Sequence, residues 1–242
     1  MAPRRPGQSV CAAKHLNAAG KLYCLLYDTD LDVMFLSRGS EPAGYGMDVS
    51  RNVLPELEIH GEAAVAFDYT KPTIDRSGHG SQNTFDAMSY LVGARYQTET
   101  DAILIAEYYR NGKGYRTTEM EDFAMFSDLA YAAYLASGNT ALLQRASRAS
   151  ANNYGGANAM VDYLYVRASQ PEPFNVLYLT PSLTCVANLD DGSFSVAPEV
   201  LYTRITNLEL RMKAMILSGA FGSEFGEKAG DFRLELRARA FF

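Results

Sequence analysis

The last twelve residues constrain this chain more tightly than any other part of it. Phe232, Leu234, Leu236, Ala238, Ala240 and Phe242 take every second position, and Arg233, Glu235, Arg237 and Arg239 stand between them. A backbone that repeats every two residues sends the apolar set to one face and the charges to the other, so this is a strand with a dry face and a wet one. Residues 206–216 repeat the pattern, with Leu208, Leu210, Met212, Ala214 and Ile216 opposed to Glu209, Arg211 and Lys213. Residues 57–69 do so again: Leu57, Ile59, Ala63, Val65, Phe67 and Tyr69 oppose Glu56, Glu58, His60, Glu62 and Asp68.

Weaker versions fill the intervals. Met88, Tyr90, Val92, Ala94 and Tyr96 make one apolar face, with Arg95 on the other side; Leu104, Ala106 and Tyr108 make another, with Glu107 opposed. Leu164, Val166 and Ala168 oppose Tyr163, Tyr165 and Arg167. Segments 177–185 and 193–203 alternate too, the second with Glu199 on its polar side, and 22–27, 33–37 and 45–49 read as strands of poorer period. The total is about eleven strands, many near the ~10 residues that cross a bilayer at a tilt.

Short connections are expected at 51–54, 98–101, 169–173, 190–192 and 204–206, and long ones at 71–85, 111–158 and 219–230. Tight turns at one rim and long loops at the other are the asymmetry of a membrane barrel. Within the longest connection, 120–135 and 140–150 are rich in Ala, Leu, Met and Glu and predict two short helices joined at Ser137-Gly138. The fold expected is therefore an all-β, antiparallel, up-and-down transmembrane barrel over 21–242. It has a partly helical outer loop at about 111–158 and a remnant segment at 1–20.

Composition fits that reading. No run of about eighteen apolar residues exists, so no transmembrane helix is predicted. The mean hydropathy of −0.15 is what alternation produces when dry and wet faces cancel. A net charge of −6 argues against a nucleic-acid partner. An odd strand count places the start of the first strand on the outer side. Residues 1–21 also carry Arg4 and Arg5 without the apolar core of a signal peptide. The chain is accordingly expected to be the C-terminal portion of a longer barrel, open or incomplete on its own.

The C-terminal residues carry a resemblance. Phe242, preceded at every second position by Ala240, Ala238, Leu236 and Leu234, resembles the outer-membrane sorting signal of Gram-negative porins. Residues 162–170 (DYLYVRASQ), 173–183 (PFNVLYLTPSL) and 207–211 (NLELR) are similar to uncharacterised proteobacterial porin-like proteins, a likeness running from about Leu31 to Phe242. The resemblance implies an outer-membrane location, contact with outer-membrane lipid and recognition of the last strand by the barrel-assembly machinery. It supplies neither a substrate nor catalytic residues.

The polar faces give the expected lumen: Glu56, Glu58, His60, Glu62, Asp68, Arg95, Glu107, Arg167, Glu199, Glu209, Arg211, Lys213, Arg233, Glu235, Arg237 and Arg239. A hairpin centred near Glu224 would set Glu209 against Arg239, Arg211 against Arg237 and Lys213 against Glu235. Acidic and basic walls facing each other would bias which solutes pass, although they also serve simply as a solvated, self-paired wall. The function expected is a pore for diffusion, uptake or export of small solutes, with no cofactor and no metal. An outer-membrane receptor or adhesin, and a soluble lipocalin-like or sandwich binding protein, are the alternatives. Homo-oligomers stay open.

Other motifs carry less. His79-Gly80-Ser81 is too short a stretch to bring a nucleophile, a base and an orienting group together, so no enzyme is expected. His60 between Glu58 and Glu62 would make a loose metal site, because same-face strand neighbours stand about 7 Å apart. Residues 111–115 (NGKGY) lack phosphate-loop spacing and read as a turn. Cys11, Cys24 and Cys185 have no metal-ligand spacing and read as scattered thiols.

Overall fold

The computed structural model describes residues 16–39, 41–228 and 230–242. Eleven antiparallel strands form one sheet in sequence order, each paired with its neighbours in the chain. They are β1 (Ala19–Leu26), β2 (Thr29–Leu36), β3 (Gly44–Leu54), β4 (Leu57–Ile74), β5 (Gly80–Gln97) and β6 (Ile103–Arg110). After a helical insert follow β7 (Asp162–Ser169), β8 (Leu179–Asn188), β9 (Phe194–Tyr202), β10 (Leu208–Ser218) and β11 (Phe232–Ala240). The sheet is not closed. β1 and β11 are its two edges, and with nine antiparallel strands between them they run in the same direction.

The register carries the two faces through the whole sheet. One apolar row runs Cys24, Leu31, Val49, Gly61, Val92, Tyr108, Leu164, Ala187, Phe194. A polar row beside it runs Asp30, Ser50, His60, Gly93, Glu107, Tyr165, Val186, Ser195. Slipping any strand by one residue would exchange the rows, so the alternation itself pins the pairing.

Turns at one rim are brief. Tyr27 and Asp28, both at positive φ, close β1–β2 in two residues, a conformation whose twist suits a hairpin. Pro55 and Glu56 close β3–β4. The opposite, far rim carries the insert and the β10–β11 loop.

Residues 71–85, expected to be a long loop, are strand instead. β4 and β5 continue past their neighbours as a hairpin arm whose tip is only 75–79. The reason is a β-bulge between Ala66 and Tyr69, which places one more residue on β4 than on β5. Above it the phase inverts. Tyr69, Lys71 and Thr73 pair with Phe85, Asn83 and Ser81 on the face that was polar below, and Phe67 and Asp68 are left together outside that row. Asp68 takes φ +50 and its backbone N–H donates to Asp86.

The insert folds as α1 (Thr117–Ser137), α2 (Ala141–Ala149) and one π-helical turn (Ser150–Tyr154). Gly138 ends α1 at φ +68, donating its N–H to the Tyr134 carbonyl at 2.8 Å; a left-handed residue is what lets the chain leave the helix there. The buried core lies here. Phe126, Ala130 and Ala146 pack with Ile74 of the arm. Tyr115, Met120, Tyr154, Ala159, Met160 and Tyr163 form a second cluster against Tyr109 and Val186.

Candidate functional site: the charged face of the sheet

From β2 to β10 the residues on the charged face are mostly half-buried, while the exposed apolar strand residues lie mostly on the other face. Side chains of Asp32, Glu199 and His60 are 16%, 17% and 19% exposed; Leu22, Val92 and Leu236 are 70%, 60% and 73% exposed. The charged face is thus the more sheltered one, the reverse of a soluble sandwich or lipocalin, where the apolar face is inside.

On β2 to β6 this face is acidic. Asp32 opposes Asp48, which opposes Glu62, and Lys21 relieves the first repulsion with a 2.8 Å bridge to Asp32. Tyr23 donates a short hydrogen bond to Asp30. Glu58 and Arg95 are directly opposed, with 3.7 Å between their charged ends. His60 and Glu107 stand on strands two apart, yet their side chains approach to 3.3 Å. Gly93 lies between them in the register, and a Cβ there would meet the His60 ring and the Glu107 chain. The missing side chain is what lets the pair form across β5.

On β7 to β11 the balance is basic. Glu209 opposes Arg239, Arg211 opposes Arg237 and Lys213 opposes Glu235, the register expected of a hairpin centred near Glu224. Two facing arginines would repel, and each has a carboxylate to one side: Arg211 is 3.5 Å from Glu209 and 3.9 Å from Glu199, and Arg237 donates to Glu235 at 2.8 Å. Arg233 lies opposite Met215, and Arg167 opposite Thr184.

The structure thus brings Glu58, His60, Glu62, Arg95, Glu107, Arg167, Glu199, Glu209, Arg211, Lys213, Arg233, Glu235, Arg237 and Arg239 to one face. Two expected members fall outside it. Glu56 sits in the β3–β4 turn at the rim, and its carbonyl accepts from Gln97. Asp68 leaves the row at the bulge and pairs with Arg38. Asp30, Asp32, Asp48 and Lys21 belong to the face and were not anticipated. For Asp30 and Asp32 the signal was present in the alternation of 29–35, hidden because Tyr27 to Asp30 has the composition of a turn.

At the far rim the same face is covered. Tyr109, Tyr163 and Val186, all on its polar side, pack against the insert. The β10–β11 loop folds over them, and Glu224, 2% exposed, accepts hydrogen bonds from the Ala159 N–H (3.0 Å), Asn188 Nδ2 (3.0 Å) and the Tyr163 hydroxyl. Tyr115, Tyr154 and Phe123 stack at 4.0 and 4.2 Å. Burial holds the Tyr115 phenol well above its ordinary range and pushes that of Tyr154 up to about 12. Lys71 bridges to Glu119 at 2.7 Å, and Arg76 to Asp122 at 2.5 Å. The insert therefore caps one end of the charged trough and leaves the middle open.

The arm tip does not bring Ser81 and His79 together. Ser81 pairs with Thr73 at 2.6 Å rather than with His79. His79 Nδ1 meets Ser77 Oγ at 2.7 Å, and Asp75 accepts from that same hydroxyl and from two backbone N–H groups. The Ser77 hydroxyl first, and then the His79 N–H, hold the Asp75 carboxyl below its usual range. Asp75 stands 3.8 Å from Nδ1, so it stabilises the turn and gives Nε2 no orientation. Among the described residues no three His, Cys, Asp or Glu side chains converge as a metal ion requires. Cys24 and Cys185 are free, and Cys11 lies outside the described residues. The chain matches no protein-family model and no curated protein sequence.

Proposed function

We propose that the chain forms the wall of a water-filled pore in an outer membrane, passing small solutes along its charged face. The observation that carries this reading is the inverted burial: charge on the sheltered side of the sheet, and an uncovered apolar face on the other. Exposing that face to water is unfavourable by about 25 cal/mol per Å² of apolar area, whereas lipid accepts it at no such cost. Acidic and basic walls would set a transverse field that discriminates among ions, and the insert at the far rim would narrow the entrance.

The unpaired edges bear on assembly. Backbone groups at an open edge find no partners in hydrocarbon. Because β1 and β11 run the same way, antiparallel closure takes an odd number of further strands. Stepwise single-channel currents from the purified chain in a planar bilayer test the reading. Defined steps whose ion preference changes in Arg237→Gln support it, and a membrane-inserted protein that passes no current points to a receptor.

A further inference from the structure

β5 is much longer than β6, and their pairing ends at Tyr90 and Arg110. Above that point the arm has no sheet neighbour on the β6 side, and a notch opens. The chain leaving β6 turns tightly beneath it. The Gly112 N–H donates to Ser89 Oγ at 3.0 Å, and any side chain at Gly112 would strike the Met88 backbone. What is left between the arm, this turn and the start of α1 is a cavity of about 580 Å³, within the size range of small-ligand sites.

Its lining is basic in a chain of net charge −6. Lys71, Arg110 and Arg116 line it against one carboxylate, Glu119. The Lys71 side chain is 8% exposed, and its ammonium uses Glu119 (2.7 Å) and the Gly114 carbonyl (3.2 Å). Arg110 is tied to Asp162 through a single terminal nitrogen, at 3.0 Å to each oxygen. Arg116 is exposed and has no carboxylate in ion-pair range among the described residues. Thr118, in the first turn of α1, adds the positive end of a 21-residue helix to the wall.

We propose that this cavity is a binding site for a phosphate group, carried by a small solute or by a lipid headgroup at the rim. A guanidinium outside every ion pair among the described residues, a second one bonded to Asp162 through one of its nitrogens, and a buried ammonium match an oxyanion that takes several charge-assisted hydrogen bonds at once. The site lies at the rim, apart from the row of charges along the trough, and does not depend on conduction.

The test is titration calorimetry of the full chain in neutral-detergent micelles with inorganic phosphate, at constant ionic strength against chloride. Saturable binding is expected. Arg116→Gln, at an exposed side chain outside every ion pair among the described residues, should weaken it about tenfold or more while the thermal transition stays in place. Adding phosphatidylglycerol to the micelles then separates the two sources: competition assigns the site to a headgroup, and none assigns it to a free solute. No saturable phosphate binding, or an equal Kd in Arg116→Gln, overturns the proposal. Because nothing in this experiment reads current, its failure is distinct from failure of the pore reading.

Discussion

The insert and the lower sheet belong to the same chain but obey opposite burial rules. Around α1 the molecule is built like a soluble protein: Phe126, Ala130 and Met160 are sealed from solvent, and charged pairs such as Arg76–Asp122 lie outside. In β2, β4, β6 and β10 the charged Asp32, His60, Glu107 and Glu209 are half-buried, while the apolar Val33, Ile59, Leu104 and Met212 are exposed. In the pore reading proposed above, the cap would fold in water and the sheet below it would rest its apolar face against lipid.

The largest expected effect follows from that contrast. Phe126→Ala empties the centre of the cap and should destabilise it by about 3–5 kcal/mol, without loosening the strands. Hydrogen exchange should accelerate over α1 and α2 and stay slow in β9 to β11; acceleration throughout would show that cap and sheet are one cooperative unit. Next comes the reverse lesion. Val92→Arg puts a charge in the middle of the apolar face and should cost about 2–4 kcal/mol in a bilayer. In water-folded protein an arginine at so exposed a place would be nearly silent, so comparing denaturant midpoints in vesicles with those in dilute detergent sharpens the distinction.

A smaller effect concerns pH. Tyr115 and Tyr154 are held neutral by burial in the cap, with Tyr154 pushed up to about 12, against about 10 for a solvated phenol. Groups raised in the folded state stabilise it fully below the unfolded value, and that contribution is lost as pH climbs through the folded one. The cap should therefore hold below about pH 10 and loosen between about 10 and 12, read as protease sensitivity of the insert. Sensitivity that appears instead on acidification would place the weak point elsewhere. Smallest of all is Gly93→Ala. The added methyl separates His60 from Glu107, a partly exposed pair worth less than about 1 kcal/mol. The His60 ring resonances should move in NMR spectra with the melting point unmoved.

How much of this was legible in the sequence follows from how much of the chain lies flat in one phase. In 206–216 and 232–242 an uninterrupted alternation on each side of one loop yielded strands, faces and the register of Arg211 against Arg237. At Asp68 the same reasoning failed because one bulged residue inverts every position above it, and a sequence shows no mark where a phase changes. Lys71 and Phe85 were read as loop for that reason. Glu56 was assigned to the polar row although Pro55 beside it ends the strand. The helices of the insert were visible in composition. Their packing was not, since α1 is apolar on several sides and which side meets Ile74 is decided by the arm.

If the chain lines a pore, its apolar face meets lipid and its charged face meets water. The most direct measurement places a single nitroxide in turn at residues 208 to 216 and 232 to 240 of the chain inserted in liposomes, and compares relaxation by oxygen with relaxation by a water-soluble nickel chelate. A two-residue period is expected. Oxygen contact should peak at positions 210, 212, 234 and 236, and nickel contact at 209, 211, 235 and 237. Nickel contact at 212, 234 and 236 with oxygen contact low throughout would contradict it, and would make the charged trough a feature of a protein that lives in water.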